Sequence, residues 1–388
     1  MPLKFYDLCT LLSDIESYCA HVPPLFPVAL QQKIRDRTWQ WFRGHKVTID
    51  SPGVDPVALL SALFPEKRTD RVYSLKAQSL SRRLRGCLCL GNGRWQLLDQ
   101  WKTPGHGDLG DCVERALKQS EFPKQIPENE VTLDQVDAAL AKLAARNRFS
   151  WPDVRESKEN DEPKDVDRIL ERIYRRLQSR EAKWFTRILV KDLGSLELPL
   201  PMVLACLHPD LPQYIKVYDS FEGAISMLRG RGVPSLLREG HNDRIPQHTN
   251  TTGILTPKVG VKLGRIKYIV GRSVKHAVKM IGRQKMSVER KYDGEYCQVH
   301  IDLSAGENWI KIFSKSGKDS TVDRAGLHHS IRDSLRIGRQ DCGFSGKCIL
   351  EGELVVWSDR ERDILDFCKI RKHVSRSGTF LGTTFDSQ

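Results

Sequence analysis

The sequence predicts a multi-domain chain: an all-α domain over residues 1–245, then an α+β domain with an antiparallel sheet over residues 246–388. Two observations carry that prediction. Up to about residue 245, apolar residues recur with helical spacing. Beyond a stretch rich in Thr, Gly, Pro and Lys at 248–264 come short runs of β-forming residues set apart by turn signals.

In the first part, Leu8, Leu11, Leu12, Ile15 and Cys19 fall on one face of a helix. Thr132 is placed to cap a helix running through Val136, Leu140 and Leu143. A further helix over 181–192 carries Trp184, Ile188 and Leu189 on one side and Lys183, Arg187 and Lys191 on another. The run 154–167 is charged and almost without apolar residues, which reads as a solvated loop. In the second part the β-type runs are 287–292, 296–303, 309–314 and 348–357. Turn signals at Asp293-Gly294, 305–308 and Ser345-Gly346 divide them, and helices are expected over 273–281 and 323–336.

Hydrophobic residues make up 39% of the 388 and charged residues 29%, a balance that builds cores and excludes a disordered chain. No apolar run approaches the ~20 residues that span a bilayer, so no membrane association is expected. The N-terminus lacks the long apolar region of a secretory signal. The ten cysteines form no C-x-x-C pair, which fits free thiols in a reducing, intracellular setting and gives no zinc spacing. The net charge of +13 points to an acidic partner such as nucleic acid. Between Lys258 and Lys285 stand nine Lys or Arg and no acidic residue. Within that stretch Val274, Ala277, Val278 and Ile281 share a helical face opposite Lys275 and Lys279, a pattern that serves either phosphate contact or a solvated basic face.

The segment Glu289-Arg290-Lys291-Tyr292-Asp293-Gly294 carries the chemistry. Side chains alternate along a strand, so Glu289 and Lys291 would share a face before Asp293-Gly294 turns the chain into the next strand. A lysine in such a pocket becomes a nucleophile when burial or neighbouring cations remove its proton. By itself the same segment is equally a surface hairpin with an ordinary exposed lysine.

Lys291-Tyr292-Asp293-Gly294 resembles motif I of the nucleotidyltransferases that form lysyl-AMP or lysyl-GMP. Ile312-Phe313-Ser314-Lys315 resembles the F-S-R segment of the ligases, and Leu350-Glu351-Gly352-Glu353-Leu354 resembles their motif III, L-D-G-E. In the helical part, the stretch from Trp101 to Asp111 resembles Y-R-T-x-x-x-H-G-D-x-G-D of the DNA ligase IV group. Thr132 to Asp137 resembles that group's T-I-Q-Q-V-N, and Glu181 to Leu193 resembles its E-Q-K-W-L-I-R-M-I-I-K-D-L. The sequence is thereby identified as similar to the ATP-dependent DNA ligase family over nearly its whole length. RNA ligases and capping enzymes share K-x-D-G but lack the helical DNA-binding domain.

The resemblance implies an all-α DNA-binding domain followed by an adenylation domain of nucleotidyltransferase fold. Lys291 would attack the α-phosphate of ATP and carry AMP. Glu289 would accept a hydrogen bond from the adenine amino group. Lys315 and Glu353 would lie near the phosphate and the ribose or Mg²⁺, with Glu353 the metal-binding carboxylate. Tyr296 stands in the pocket where the family has Arg, so one hydrogen-bonding phenol replaces a bidentate guanidinium. Lys183, Arg187, Lys191, Lys275 and Lys279 would face DNA phosphates. The partner implied is double-stranded DNA with nicks or breaks, in nuclear repair, recombination and non-homologous end joining.

Only 35 residues follow Glu353, too few for motifs IV to VI, an OB-fold or BRCT repeats. The expectation is an incomplete adenylation domain, impaired in nick sealing and without the site for the partner protein of DNA ligase IV. The rival expectations are a DNA-binding scaffold without turnover and, on K-x-D-G alone, an RNA ligase or capping-type enzyme.

Overall fold

A computed structural model describes residues 2–118, 130–155, 165–230, 257–264, 271, 273–282 and 285–367. Most of the charged run (156–164), part of the 248–264 linker (248–256) and part of the basic stretch (265–270, 272 and 283–284) lie outside the described residues, as does the C-terminal stretch from 368. The chain divides into two units, Met1–Leu255 and Thr256–Gln388. No helix among the described residues is long and apolar enough to cross a membrane.

Among its described residues the first unit is built of helices. Its helices are α1 Phe5–Cys19, α2 Pro27–Gly44, α3 Lys46–Ile49, α4 Pro56–Leu63, α5 Ala77–Cys87, α6 Asn92–Asp99 and α7 Leu109–Lys118. There follow α8 Leu133–Ala145, α9 Pro152–Arg155, α10 Val166–Tyr174, α11 Ser179–Val190, α12 Leu200–Leu207, α13 Leu211–Tyr218 and α14 Phe221–Gly230. Helix α1 buries Leu8, Leu11, Leu12 and Ile15, the face its spacing predicts. Thr132 caps α8 in a reciprocal capping box: its hydroxyl accepts from the Gln135 N–H and the Gln135 side chain accepts from the Thr132 N–H.

Helix α11 departs from its predicted amphipathic layout. Trp184, Ile188 and Leu189 are buried as expected, but so are Lys183, 7% exposed, and Arg187, 5% exposed. Charged groups can be buried at modest cost when they are paired and hydrogen-bonded. Arg187 pairs with Glu16 on α1 at 2.6 Å, with Asp108 at 2.7 Å and with Asp111 on α7 at 3.2 Å. Lys183 pairs with Glu16 and Asp111, each at 2.7 Å. The Lys191 ammonium donates to the backbone carbonyls of Arg68 and Arg71, and its burial brings its pKa down to about 8. These three cations therefore hold the helical unit together, and the expectation that they face DNA phosphates is corrected.

The acidic partners are fixed by the segment that ends in His106-Gly107-Asp108-Leu109-Gly110-Asp111. Asp108 and Asp111 cap α7 reciprocally, each side chain accepting from the other's backbone N–H at 3.0–3.1 Å. Gly107 has φ +77°, where a side chain is strained, and a Cβ there would sit 2.3 Å from Asp111 Oδ2. A Cβ on Gly110 would meet Arg187 Cγ at 2.9 Å and the Lys183 carbonyl at 3.0 Å, so the glycine is what lets α7 lie against α11. His106, in the same turn, is exposed.

Among its described residues the second unit holds α15 Val274–Ile281, α16 His328–Ser334 and five strands: β1 Glu295–Asp302, β2 Ile310–Ser314, β3 Lys347–Leu354, β4 Trp357–Ser358 and β5 Asp363–Ile364. The main sheet has the order β2-β1-β3 and is antiparallel throughout, and β4 and β5 form a separate pair. One sheet face, Cys297, Val299 and Ile301 with Ile310 and Ile312, builds an apolar core against Ile331, Leu335, Ile337 and Phe344. Residues 285–294 form no strand, so the hairpin predicted across Asp293-Gly294 is absent. β1 is already paired along both edges and has none to offer the 287–292 run. On α15, Ser273 caps the N-terminus by accepting from the His276 N–H, Lys275 and Lys279 are exposed, and the apolar face is exposed as well, with Val274 at 83% and Val278 at 47%.

Replacing Arg187 by Leu would leave three carboxylates short of their shared cation. These carboxylates are partly solvated, so the expected loss is about 2–3 kcal/mol, below the ~3–5 kcal/mol typical of a fully buried pair. Urea unfolding followed by far-ultraviolet circular dichroism measures it, and an unchanged midpoint would mean that the cluster contributes nothing.

Candidate nucleotide pocket

Antiparallel pairing decides where the motif residues meet. The start of β1, the end of β2 and the end of β3 all fall at one end of the sheet, because Cys297 lies opposite Ser314 and Glu295 opposite Leu354. Lys291 precedes β1 by four residues, Lys315 follows β2 directly, and Glu353 is the penultimate residue of β3. Three segments distant in sequence thus deliver their charged residues to one edge.

At that edge a pocket of about 520 Å³ is lined by Glu289, Arg290, Lys291, Tyr292, Glu353, Val355 and Ile364. Its volume suits a drug-sized or nucleotide-sized ligand. Glu289 accepts from the Ser287 hydroxyl at 3.2 Å, and the Arg290 guanidinium lies 5.1 Å from the Tyr292 ring centroid. Gly294 permits the geometry: a Cβ there would approach the Leu354 carbonyl to 2.6 Å and Glu353 Cβ to 3.2 Å. The glycine of K-x-D-G is therefore where the strand bearing Glu353 passes closest to the segment bearing Lys291.

Of the residues singled out from the sequence, Glu289, Lys291 and Glu353 share the pocket. Tyr296 and Lys315 are absent from its lining. Lys315 is exposed in the turn after β2. Tyr296 is 9% exposed, and its hydroxyl donates to Glu351 Oε1 at 2.5 Å instead of projecting into the pocket. The sequence reading also passed over Arg290, Tyr292, Val355 and Ile364, which no motif distinguishes.

A second omission is the polar face of β1. Tyr296, Gln298 and His300 alternate with the apolar Cys297, Val299 and Ile301, a period of two visible in the sequence. Gln298 and His300 are fully buried. His300 Nδ1 accepts from the Gly260 N–H at 3.1 Å, so Nε2 carries the proton and donates to Gln298 Oε1 at 2.8 Å. Gln298 Oε1 also accepts from the Leu263 N–H at 2.7 Å, and its amide donates to Glu351 Oε1 at 2.9 Å. Burial brings the His300 pKa down to about 4, helped by the Lys311 and Lys262 charges.

Comparison with known proteins settles the family. Residues 4–208, more than half of the chain, match the family described as DNA ligase N terminus, and residues 268–384 match the ATP dependent DNA ligase domain. The chain belongs to the ATP-dependent DNA ligase family. It is 26% identical over 359 residues to DNA ligase 4 of Dictyostelium discoideum, covering 85% of this chain and 30% of that protein. It is 22% identical over 385 residues to human DNA ligase 4, covering 92% and 36%. It is 24% identical over 297 residues to a DNA ligase of Pyrobaculum arsenaticum, covering 73% and 43%. The chain thus spans roughly a third of the length of the DNA ligase 4 relatives it matches. The helical domain followed by an adenylation domain with a small antiparallel sheet is the fold the sequence predicts.

The depressed pKa of His300 fixes the sign of a pH effect. The unfolded chain binds a proton near 6.5 that the folded chain refuses until about pH 4. The contribution of His300 to stability is therefore complete above pH 6.5 and is lost as pH falls toward 4. Urea unfolding at pH 7 and pH 5 should show a loss that shrinks in the His300→Gln variant; equal losses in both proteins would exclude His300 as the source.

Proposed function

We propose that this chain is the DNA-binding and nucleotide-binding part of an ATP-dependent DNA ligase and that Lys291 carries AMP. The observation that supports the reading best is the meeting of Lys291, Glu289 and Glu353 in one pocket at the end of a three-stranded sheet. The Lys291 amine, once deprotonated, attacks the α-phosphate of ATP; a P–N bond forms, the P–O bond to pyrophosphate breaks, and AMP remains as a phosphoramide. Glu289 accepts from the adenine amino group, and Lys315 and Arg290 supply positive charge toward the phosphates. The AMP then passes to the 5′-phosphate at a nick, and the 3′-hydroxyl displaces it.

A divalent cation fits this donor set in one way. Among the described residues no group of three or more His, Cys, Asp or Glu converges to hold a metal alone. Mg²⁺ is commonly held by one or two carboxylates together with substrate phosphates, and Glu353 is the carboxylate placed for that role. When bound, such an ion neutralises phosphate charge. The basic stretch 258–285, with Lys275 and Lys279 exposed on α15, supports contact with the phosphates of nicked or broken duplex DNA. In the cell this reading assigns the protein to the nucleus, in repair, recombination and end joining.

The test of the nucleotide step is labelling with [α-³²P]ATP and Mg²⁺. The native chain should acquire label, and Lys291→Ala and Lys291→Arg should acquire none. Label that survives in either variant, or that comes preferentially from GTP, would overturn the assignment. For the DNA step, log K for a nicked duplex should fall linearly with log salt. The double variant Lys275→Gln, Lys279→Gln should flatten that slope by about 1.8, two phosphate contacts at ~0.9 each. An unchanged slope would remove α15 from the contact.

A further inference from the structure

Between α5 and α6 the helical unit has a cleft of about 180 Å³ that no motif resemblance marks. α5 lines it with Ser81, Arg82 and Arg85, and α6 and the 3-10 turn Gln100–Lys102 that continues it supply Trp95, Leu98, Asp99 and Lys102. Spacings of three and four residues put each set on one helical face. Ser81 and Leu98 are buried and close the base. Asp99 Oδ1 accepts from the Ser81 hydroxyl and from the Lys102 ammonium, each at 3.0 Å, so that cation is already answered. Arg82 and Arg85 are exposed and have no carboxylate partner among the described residues. The Arg85 guanidinium lies over the Trp95 ring, 4.1 Å from its centroid, which restrains its planar fork of donors. Arg83, the next residue on α5, is neutralised by Asp167 at 2.5 Å and adds no free charge beside the cleft.

We propose that this cleft binds a phosphomonoester dianion, carried by a phosphorylated serine or threonine side chain or present as free phosphate. Its three cations and one carboxylate leave two positive charges in excess, which matches such a group near neutral pH. Each guanidinium can donate two parallel hydrogen bonds to phosphate oxygens, and the one held over Trp95 loses little freedom in doing so. The volume is below that of pockets that enclose drug-sized ligands, so a whole nucleotide does not fit and one compact group does. The backbone of duplex DNA is a poorer match. Its phosphodiesters carry one charge each and arrive in rows, which call for a stripe of cations, whereas Arg82, Arg85 and Lys102 converge on one cleft. The Trp95 indole adds an apolar wall for the carbon that bears the phosphate.

The experiment follows the Trp95 indole N–H resonance of the ¹⁵N-labelled full chain, recognised by its loss in Trp95→Phe. The titrants are methyl phosphate, orthophosphate, N-acetyl-O-phosphoserine amide and dimethyl phosphate. The three dianions should shift the resonance saturably, and dimethyl phosphate, a monoanion like the DNA backbone, should bind at least ~10-fold more weakly, the scale of a charge-assisted hydrogen bond. Arg82→Gln and Arg85→Gln should each weaken methyl phosphate by at least ~10-fold, and Arg82→Lys should recover part of that loss. Both side chains are exposed, so far-ultraviolet circular dichroism should show the fold unchanged. Tighter binding of the phosphoserine amide than of orthophosphate names a partner's phosphorylated side chain as the source, and equal or reversed order names free phosphate; either supports the site. No saturable shift, dimethyl phosphate binding as well as methyl phosphate, or arginine variants that bind like the native chain would overturn it. A nicked duplex supplies the remaining arm. Its affinity and salt slope should be the same for the native chain and the double variant Arg82→Gln, Arg85→Gln, and a slope flattened by about 1.8 would give the cleft to DNA and overturn the proposal.

Discussion

Arg187 sits 5% exposed in the middle of α11, and the helical unit is arranged around keeping it partnered. A guanidinium keeps its charge at any ordinary pH, so burying it demands carboxylates at hydrogen-bonding distance. Glu16 comes from α1, Asp108 from the turn before α7 and Asp111 from α7 itself. Satisfying one cation therefore ties α11 to α1 and to the start of α7, through partners 76 to 171 residues away in sequence. Gly107 and Gly110 follow from the same demand, since a side chain at either would collide with Asp111 or with α11.

The sheet unit obeys the same rule with neutral groups. Gln298 and His300 have no exposure, and each finds its partners in the chain segment 260–263 or on β3. Burial keeps His300 unprotonated and fixes its tautomer, which fixes in turn how Gln298 presents its oxygen and its amide. A polar sheet face is costly unless every member is satisfied, and here satisfaction runs toward the pocket end of the sheet. The apolar face needs no such arrangement. It is filled by Cys297 and β-branched residues and closed by Ile331 and its neighbours.

Family membership and site geometry support each other without being the same statement. The family matches establish the kind of domain, and relatives at identities of 22–26% leave individual side chains open. The geometry adds which of this chain's residues share a pocket and which motif residues stand outside its lining. Tyr296 and Lys315 occupy motif positions yet do not line the cavity, whereas Arg290 and Tyr292 do. Motif membership fixes position along a strand, and lining a pocket depends on where the side chain is drawn. For Tyr296 it is drawn to Glu351.

By itself the sequence determined the order of helices and strands, the cap at Thr132, and the grouping of Lys291 with Glu353 through motif order. These are local or short-period properties: hydrophobic spacing, a hydroxyl before a helix, a turn dipeptide. Two of its failures share one cause. The basic side of α11 read as solvated because the carboxylates that bury it lie on other elements, and sequence spacing carries no information about them. The 287–292 run read as a strand because β propensity is local, but pairing requires a free edge, and both edges of β1 were taken by β2 and β3. Only the tertiary structure decided which charges turn inward and which strand edges remain, because each depends on what the rest of the chain brings alongside.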